Sequence, residues 1–296
     1  MVESWEHREA VVNNVRLHWV EQGSGPLVIL LHGFPEFWYG WRRQIPALAA
    51  AGFRVVAPDL RGYNLSEKPK GTASYRVSIL VEDVAGLIRQ LGAERAHVVG
   101  HDWGGVIAWH LGMRRPELVD RLAIINAPHP SIFAREMRRP RQFLRSWYAF
   151  FVQLPLIPEA GIRARDFALL ERLFRGTARR GSFTDADIAR YKEALGRPGA
   201  LTAALNYYRA YRSHLFQRRE TKKEPRRVIG RPTLVIWGER DQALNLHNLD
   251  GLERYVPDLR VERLPEATHW VMADAPARVN DLLAEFLGDD GRAGRA

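Results

Sequence analysis

Residues 96–105, with the sequence AHVVGHDWGG, constrain the fold of this chain more than any other segment. An apolar run typical of a buried strand leads into a turn that is flanked by Gly100 and Gly104, and an apolar helix pattern follows at residues 106–113. A sharp turn between a strand and a helix, with a reactive residue at its apex, is a nucleophile elbow, and its glycines leave the space for the turn. The apex residue is Asp102. The alternative is that Asp102 only caps the helix, a position that favours Asp.

A carboxylate at the apex limits the chemistry that such an elbow can perform. Aspartate is ionised near neutral pH, so Asp102 can attack without a base to remove a proton. Attack on an alkyl carbon with a leaving group gives a stable ester, whereas attack on an ester or amide would give an anhydride. The sequence therefore predicts an alkyl electrophile as the substrate.

The length and composition indicate a globular enzyme. A chain of 296 residues suits one large domain, or one domain with a sizeable insertion. There is no cysteine, which excludes disulfides and thiolate metal sites, and we expect neither a metal nor a cofactor. The first residues have no apolar signal core and no run approaches membrane-spanning length, so we expect a cytoplasmic protein without stable membrane insertion.

Short apolar runs alternate with helical patterns along most of the chain. Residues 7–22 predict two strands around a turn at Asn13 and Asn14, and residues 77–91 have helical spacing. Further strands are predicted at residues 26–31, 54–58, 97–99, 122–125, 233–237 and 261–264. Strands that alternate with helices predict an α/β fold with a mostly parallel central sheet covered by helices.

The alternation stops between residues 131 and 227, which predict helices only. Thr184 begins a capping box, T-D-A-D, and the helix continues to Gly196. The charged residues 217–227 are expected to lead back to the sheet. Two further helices have apolar faces, formed by Leu144, Trp147, Tyr148 and Phe151 and by Leu201, Leu205, Tyr208, Tyr211 and Leu215. We predict a core of residues 1–130 and 228–296, with an all-helical cap of residues 131–227 over the carboxyl ends of the strands, where open α/β sheets bind ligands.

The predicted cap carries most of the positive charge. The chain has a formal net charge of +10, and residues 131–227 contain 22 Lys and Arg but only nine Asp and Glu. We interpret this as a solvated, arginine-rich surface; the alternative is weak contact with an anionic membrane or an acidic partner. Nothing in the sequence resembles a nucleic-acid-binding motif, so we expect no nucleic acid as partner.

Two further residues complete a nucleophile system in the chain order nucleophile, acid, histidine. Asp241, in WGERD, and His269, in EATHW, each follow a predicted strand, as Asp102 does. Carboxyl ends of parallel strands meet at one edge of a sheet, so the three side chains should lie close together. Alone, Asp241 could be a turn residue and His269 an ordinary loop histidine.

Several motifs give the chain a family resemblance. The motifs HGFPE at residues 32–36, GHDWGG at 100–105, WGERD and THW together resemble the α/β-hydrolase fold. The Asp at the elbow, with HGFPEFWYGWR, PDLRGY, INAPHP and NYYR, resembles the epoxide hydrolases, in particular the C-terminal domain of the soluble enzymes. The resemblance extends from about residue 11 to residue 287.

This resemblance implies that an epoxide is converted to a vicinal diol through an ester of Asp102. His269, oriented by Asp241, would activate the water that hydrolyses the ester. The family uses two cap tyrosines as proton donors to the epoxide oxygen, and alignment points to Tyr148 and Tyr208. The expected partners are a small apolar epoxide and water.

The resemblance also predicts residues around the nucleophile. The backbone N–H groups of Phe34 and Trp103 would form the oxyanion hole, and the Phe34–Pro35 bond is expected to be cis. The side chains predicted to bind substrate are His32, Pro35, Trp103, Trp147 and Phe151.

Two other functions remain open from the sequence. A haloalkane dehalogenase uses the same Asp nucleophile but holds a halide with N–H donors, which Trp147 and Asn126 could supply. That family commonly has Asn where this chain has Phe34. The second alternative is a non-catalytic, ligand-binding protein with a hydrolase fold, because a fold does not determine a function.

Overall fold

A computed structural model of the chain describes residues 5–216 and 228–289. In these ranges eight strands form one sheet, in the order β1-β2-β4-β3-β5-β6-β7-β8. The strands are β1 Glu6–Val12, β2 Val15–Gln22, β3 Leu27–Leu31, β4 Arg54–Pro58, β5 Ala96–His101, β6 Val119–Ile125, β7 Thr233–Gly238 and β8 Leu259–Leu264. The predicted α/β class and mostly parallel sheet are confirmed.

The sheet is antiparallel at one edge and parallel elsewhere. β1 and β2 form a hairpin whose turn residues, Asn13 and Asn14, both have positive φ, as a two-residue turn of this hand requires. β2 also pairs antiparallel with β4. From β4 to β8 all pairs are parallel, so the carboxyl ends of these strands lie along one edge of the sheet.

Helices of the core pack against each other in two groups. These helices are α1 Ile45–Ala50, α2 Val77–Gln90, α3 Trp103–Arg114, α10 Val271–Asp274 and α11 Pro276–Gly288. α2 contacts α3, and α1 contacts α11. The strands between them are almost entirely buried, as in β3, β4 and β7, because a parallel sheet is covered on both faces.

Between β6 and β7 the described residues form helices only. They are α4 Pro130–Glu136, α5 Pro140–Arg145, α6 Trp147–Phe151, α7 Ile157–Thr177, α8 Asp185–Gly196 and α9 Ala200–Phe216. We call residues 130–216 the helical insertion. The capping box at the start of α8 is present as predicted, with Thr184 and Asp187 bonded reciprocally. The predicted charged connection, residues 217–227, lies outside the described residues.

The prediction of one apolar helical face at residues 144–151 is wrong. The helix stops at Ser146, so α5 and α6 are separate, and Leu144 and Trp147 point outward with exposed fractions of 69% and 64%. At the break, the amide of the buried Gln142 donates to the Ser146 hydroxyl and to the carbonyl of Ala243. These contacts attach α5 to the loop after β7.

Within the described ranges, no helix combines the length and apolar character needed to span a bilayer.

Candidate active site

The turn after β5 has the strained geometry of a nucleophile elbow. Asp102 has φ 49° and ψ −117°, a conformation that a non-glycine residue adopts only where the surrounding structure imposes it. A Cβ on Gly104 would lie 2.1 Å from the carbonyl oxygen of Leu31, and one on Gly100 would lie 2.4 Å from that of Gly104. Both positions therefore exclude a side chain, and the turn places Asp102 directly before α3.

Each carboxylate oxygen of Asp102 has its own neighbour. The backbone N–H of Phe34 donates to Oδ1 at 2.9 Å. Oδ2 lies 3.7 Å from Nε2 of His269, too far for a good hydrogen bond. The side chain remains 19% exposed. Oδ2 is thus the oxygen that is free to react, while Oδ1 is held by the backbone.

Asp241 and His269 lie close together, as was predicted from the sequence for residues at one edge of the sheet. Oδ2 of Asp241 lies 2.7 Å from Nδ1 of His269, so this nitrogen carries the proton and Nε2 faces Asp102. Asp241 is buried, whereas the His269 side chain is 12% exposed. The arrangement fixes the orientation of the imidazole toward Asp102.

The remaining acceptor sites of Asp241 are filled by the protein. The backbone N–H groups of Ala243 and Leu244 donate to Oδ1 at 2.7 and 2.9 Å, and the amide of Asn126 donates to Oδ2 at 2.7 Å. Burial alone would raise the pKa of Asp241, but the charge and hydrogen bond of His269, with these donors, hold its pKa below the usual value. Asp241 therefore remains an anion inside the protein.

The charge of His269 depends on both carboxylates. Burial by itself lowers the pKa of the imidazole, but Asp241, with its charge and hydrogen bond, and then Asp102 outweigh burial and raise the pKa to about 9. His269 is consequently protonated at neutral pH in the resting protein. Removing the charge of Asp102, as in an ester, would remove one of the causes of the raised pKa.

A buried, hydrogen-bonded pair, Glu36 and His101, lies next to His269, and no role was predicted for it from the sequence. Nδ1 of His101 is 3.0 Å from Oε2 of Glu36, and Nε2 of His101 is 2.9 Å from the carbonyl oxygen of His269. The hydroxyl of Tyr191 donates to the same glutamate. Both Glu36 and His101 stand inside quoted motifs, HGFPE and GHDWGG, which is the signal that could have identified them. The pair supports the loop that carries His269.

A cavity opens between Asp102 and the helical insertion. Its lining residues are Asp102, Trp103, Val106, Pro128, Phe133, Met137, Ser146, Tyr148, Ala149, Phe150, Gln153, Tyr208, Tyr211 and Leu244. Tyr148 comes from α6 and Tyr208 from α9, and their ring centroids are 6.0 Å apart. The structure thus brings two phenols and the Asp102 carboxylate to one mainly apolar cavity.

Both phenols remain protonated. Burial, followed by the negative charge of Asp102, raises the pKa of Tyr148 and of Tyr208 above the ordinary value. Tyr207, the neighbour of Tyr208, points elsewhere: it is fully buried, and its hydroxyl donates to the carbonyl of Arg61. Adjacent residues of a helix lie about 100° apart around its axis, so the two tyrosines point in different directions.

Two side chains join the segment after Tyr148 to the helix that carries Tyr208. The Gln153 amide donates to the carbonyls of Ala149 and Tyr208 at 2.9 and 3.3 Å. Arg209 donates to the carbonyls of Val152 and Leu154, and it forms an ion pair with Glu159 at 2.7 Å. This ion pair is only 15% and 12% exposed. Arg209 belongs to the motif NYYR, but no role was predicted for it from the sequence.

Four residues predicted to bind substrate do not line this cavity in the described part of the chain. His32 is fully buried, and its Nε2 accepts from the backbone N–H of Leu60, so it supports the loop. Pro35 is buried and follows the cis bond from Phe34, which was expected. Phe151 packs beside Trp147. Trp147 is exposed, because α5 and α6 do not form the one continuous helix that was predicted. Trp103 does line the cavity; Phe133, Met137 and Phe150 were missed.

Comparisons with known proteins identify the family of the chain. Residues 26–276 match the family of the alpha/beta hydrolase fold. The AB hydrolase superfamily protein YfhM of Bacillus subtilis is 46% identical over 278 residues, which are 93% of this chain and 95% of that protein. Human epoxide hydrolase 4 is 37% identical over 95% of this chain and 78% of its own length.

A solved structure of similar shape is the Bacillus megaterium epoxide hydrolase in complex with an inhibitor. It superimposes with a TM-score of 0.88 at 36% identity, over 95% of this chain and all of that one. The family match covers more than half of the chain, and relatives well above 30% identity cover nearly all of it. The chain therefore belongs to the α/β-hydrolase fold family, in the group whose relatives are named epoxide hydrolases.

Proposed function

We propose that this protein hydrolyses epoxides to vicinal diols through a covalent ester of Asp102. The observation that carries the proposal is the presence of Tyr148 and Tyr208 in the same cavity as Asp102. Opening an epoxide expels an alkoxide, a poor leaving group unless it receives a proton, and a phenol is a suitable donor at neutral pH. The names of the relatives support the same activity.

In the first step Oδ2 of Asp102 attacks an epoxide carbon and the carbon–oxygen bond breaks. The departing oxygen takes a proton from Tyr148 or Tyr208. The protonated His269 then supplies the proton that restores the phenol, which leaves His269 neutral. Since esterification removes the charge of Asp102, it also favours this loss of the His269 proton.

In the second step neutral His269 takes a proton from water, and the hydroxide attacks Cγ of Asp102. The developing oxyanion is Oδ1, which the N–H of Phe34 already holds at 2.9 Å, with the N–H of Trp103 at the start of α3 as the second donor. The Cγ–Oδ2 bond then breaks, and the departing oxygen takes the proton of the added hydroxyl group. The diol leaves, and the carboxylate is regenerated beside protonated His269. In this proposal residues 131–227 act as a cap that supplies the phenols and closes the cavity.

The dehalogenase alternative fits the contacts less well. Its two candidate halide donors are engaged or turned away: Asn126 is fully buried and bonded to Asp241, and Trp147 is 64% exposed. A non-catalytic binding protein would not need a strained nucleophile beside an oriented His–Asp pair. We therefore retain epoxide hydrolysis as the proposed activity.

The test separates the two steps by mutation. His269→Gln should still form the ester but not hydrolyse it, so mixing this variant with styrene oxide should add one equivalent of epoxide mass, which persists. Asp102→Asn is the matched control and should gain no mass. Intact-protein mass spectrometry measures both. If the His269→Gln protein gains no mass, the covalent mechanism is wrong.

A further inference from the structure

Exposed apolar side chains are concentrated in one short part of the helical insertion. Of the ten large apolar residues that are exposed in the described ranges, six lie within residues 143–157. They are Phe143, Leu144, Trp147, Leu154, Leu156 and Ile157, with exposed fractions from 44% to 79%. We call residues 143–157 the outer apolar segment. A concentration of this kind is typical of an interaction surface rather than of scattered surface residues.

The sequence around this segment is strongly basic. Residues 138–165 contain six arginines and a single acid, Glu159. That acid is occupied by Arg209 inside the insertion. Arg138, Arg141, Arg163 and Arg165 are exposed. Arg141 and Leu144 are three residues apart on α5, so positive charge and apolar surface lie side by side.

The geometry points to an anionic lipid surface as the occupant, and we propose that the outer apolar segment docks there peripherally. Anionic headgroups complement the arginines, while the acyl boundary accepts the apolar side chains, which is the pattern of interfacial binding. An exposed tryptophan such as Trp147 suits the headgroup level. A second copy fits less well, because a two-fold interface would bring two basic surfaces together.

The same segment forms a wall of the cavity. Ser146, Tyr148 and Phe150 line the cavity, while Trp147, between two of them, faces outward. Docking would therefore bring lipid within one helix of the cavity. Delivery of an apolar epoxide from the bilayer would follow, and only this consequence rests on the proposed function; docking itself requires no reaction.

Flotation of the full chain with vesicles tests the docking. Binding is expected to vesicles of phosphatidylcholine and phosphatidylglycerol in equal parts, and not to phosphatidylcholine alone. High salt should weaken the binding without abolishing it, because the apolar contribution is not screened. No binding to the mixed vesicles, or binding that disappears entirely at high salt, would overturn the proposal.

Variants assign the binding to the segment. The double variant Leu144→Ser/Leu156→Ser should reduce vesicle affinity by about tenfold or more, since both side chains are largely exposed. Arg138→Gln and Arg141→Gln should each reduce it by about fivefold. Val11→Ser is the matched control, because Val11 is 71% exposed on β1, outside the insertion, and it should bind normally.

Two further measurements separate docking from the other possibilities. Turnover of a water-soluble epoxide should be unchanged in Leu144→Ser/Leu156→Ser, because neither side chain lines the cavity. Analytical ultracentrifugation should show the same mass for this variant and the unmodified protein. A concentration-dependent dimer that the variant abolishes would overturn lipid docking in favour of a second copy. Equal vesicle binding by the variant and the Val11→Ser control would also overturn it.

Discussion

The core and the helical insertion hold their parts of the site in different ways. In the core, Asp102, Asp241 and His269 follow strands, and each of the three is held directly by a backbone N–H group or a buried polar side chain. In the insertion, Tyr148 stands on a five-residue helix with no fully buried residue, and Gln153 and Arg209 bond to the backbone of this helix and of the residue after it. The core thus holds Asp102 and His269 through short contacts next to the strands, while the two phenols depend on contacts between distant parts of the insertion.

Replacing the two phenols of the insertion is expected to have the largest effect on the rate of reaction. Tyr148→Phe and Tyr208→Phe should each slow ester formation, and the double variant should slow it by about 10²–10⁴-fold, because the alkoxide loses its proton donors. Hydrolysis of the ester should change little. Rapid-quench measurement of the adduct follows the first step. An unchanged rate in the double variant would disprove the donor assignment and favour the dehalogenase alternative.

The pH dependence should distinguish ester hydrolysis, which is assigned to His269 of the core, from ester formation, which is assigned to the phenols of the insertion. Hydrolysis needs neutral His269, whose pKa of about 9 in the resting protein falls once Asp102 is an ester. The rate of ester hydrolysis should therefore rise by about tenfold per pH unit and level off above the His269 pKa of the ester state. Ester formation should not require neutral His269. Single-turnover kinetics over pH measures both steps.

Asp241→Asn provides the control for this pH profile. Asp241 raises the pKa of His269, so its loss should move the profile to lower pH as well as slow hydrolysis. A profile that slows without moving would contradict the assigned cause of the raised pKa.

Breaking the ion pair between Arg209 and Glu159 should displace the two tyrosine donors but leave His269 in place. Arg209→Met is expected to slow ester formation by about tenfold, since misplacement of a donor lowers the rate of the step it serves. Hydrolysis of the ester should be unaffected, and Arg209→Lys should restore part of the rate. Arg175→Met is the control, because Arg175 forms exposed ion pairs with Glu171 and Asp185. Equal slowing of both steps would indicate a general structural role.

The smallest effect is expected at the cap of α8. Thr184→Ala removes one hydrogen bond of the capping box and should lower the free energy of unfolding by about 1 kcal/mol. Neither chemical step should change, because α8 does not line the cavity in the described part of the chain. Thermal unfolding and single-turnover kinetics check this; slower ester formation would show that the insertion transmits strain to the phenols.

The same contrast explains what could be predicted from the sequence. Buried strands are continuous apolar runs, and a polar residue after each run must lie at the sheet edge, so the sheet and the placement of Asp102, Asp241 and His269 followed from local patterns. The insertion was predicted to be helical, which is correct for its described residues. Local sequence patterns were sufficient to predict the position of residues that the sheet holds in place.

The errors arose where distant contacts decide the local structure. The helical face containing Leu144 and Trp147 assumed one continuous helix, but Gln142 bonds to the loop after β7 and the helix ends at Ser146. α7 has three consecutive residues with positive φ, Arg165–Phe167, which no helical period would indicate. The lining role of Phe133 likewise depends on how α4 meets the cavity. None of these contacts can be inferred from spacing alone.

The hydrogen bond from the Phe34 N–H to Oδ1 of Asp102 has a consequence for selectivity. In a serine hydrolase the oxyanion hole receives an oxygen of the substrate, whereas the oxyanion hole proposed for this protein receives an oxygen of the protein itself. In the proposed mechanism, the second transition state is therefore built mainly from enzyme atoms and water, and it barely distinguishes one alkyl group from another. Discrimination between epoxides, and between the two carbons of one epoxide, is decided when the ring opens. Engineering of enantiopreference should accordingly target the walls of the cavity and leave the hole unchanged.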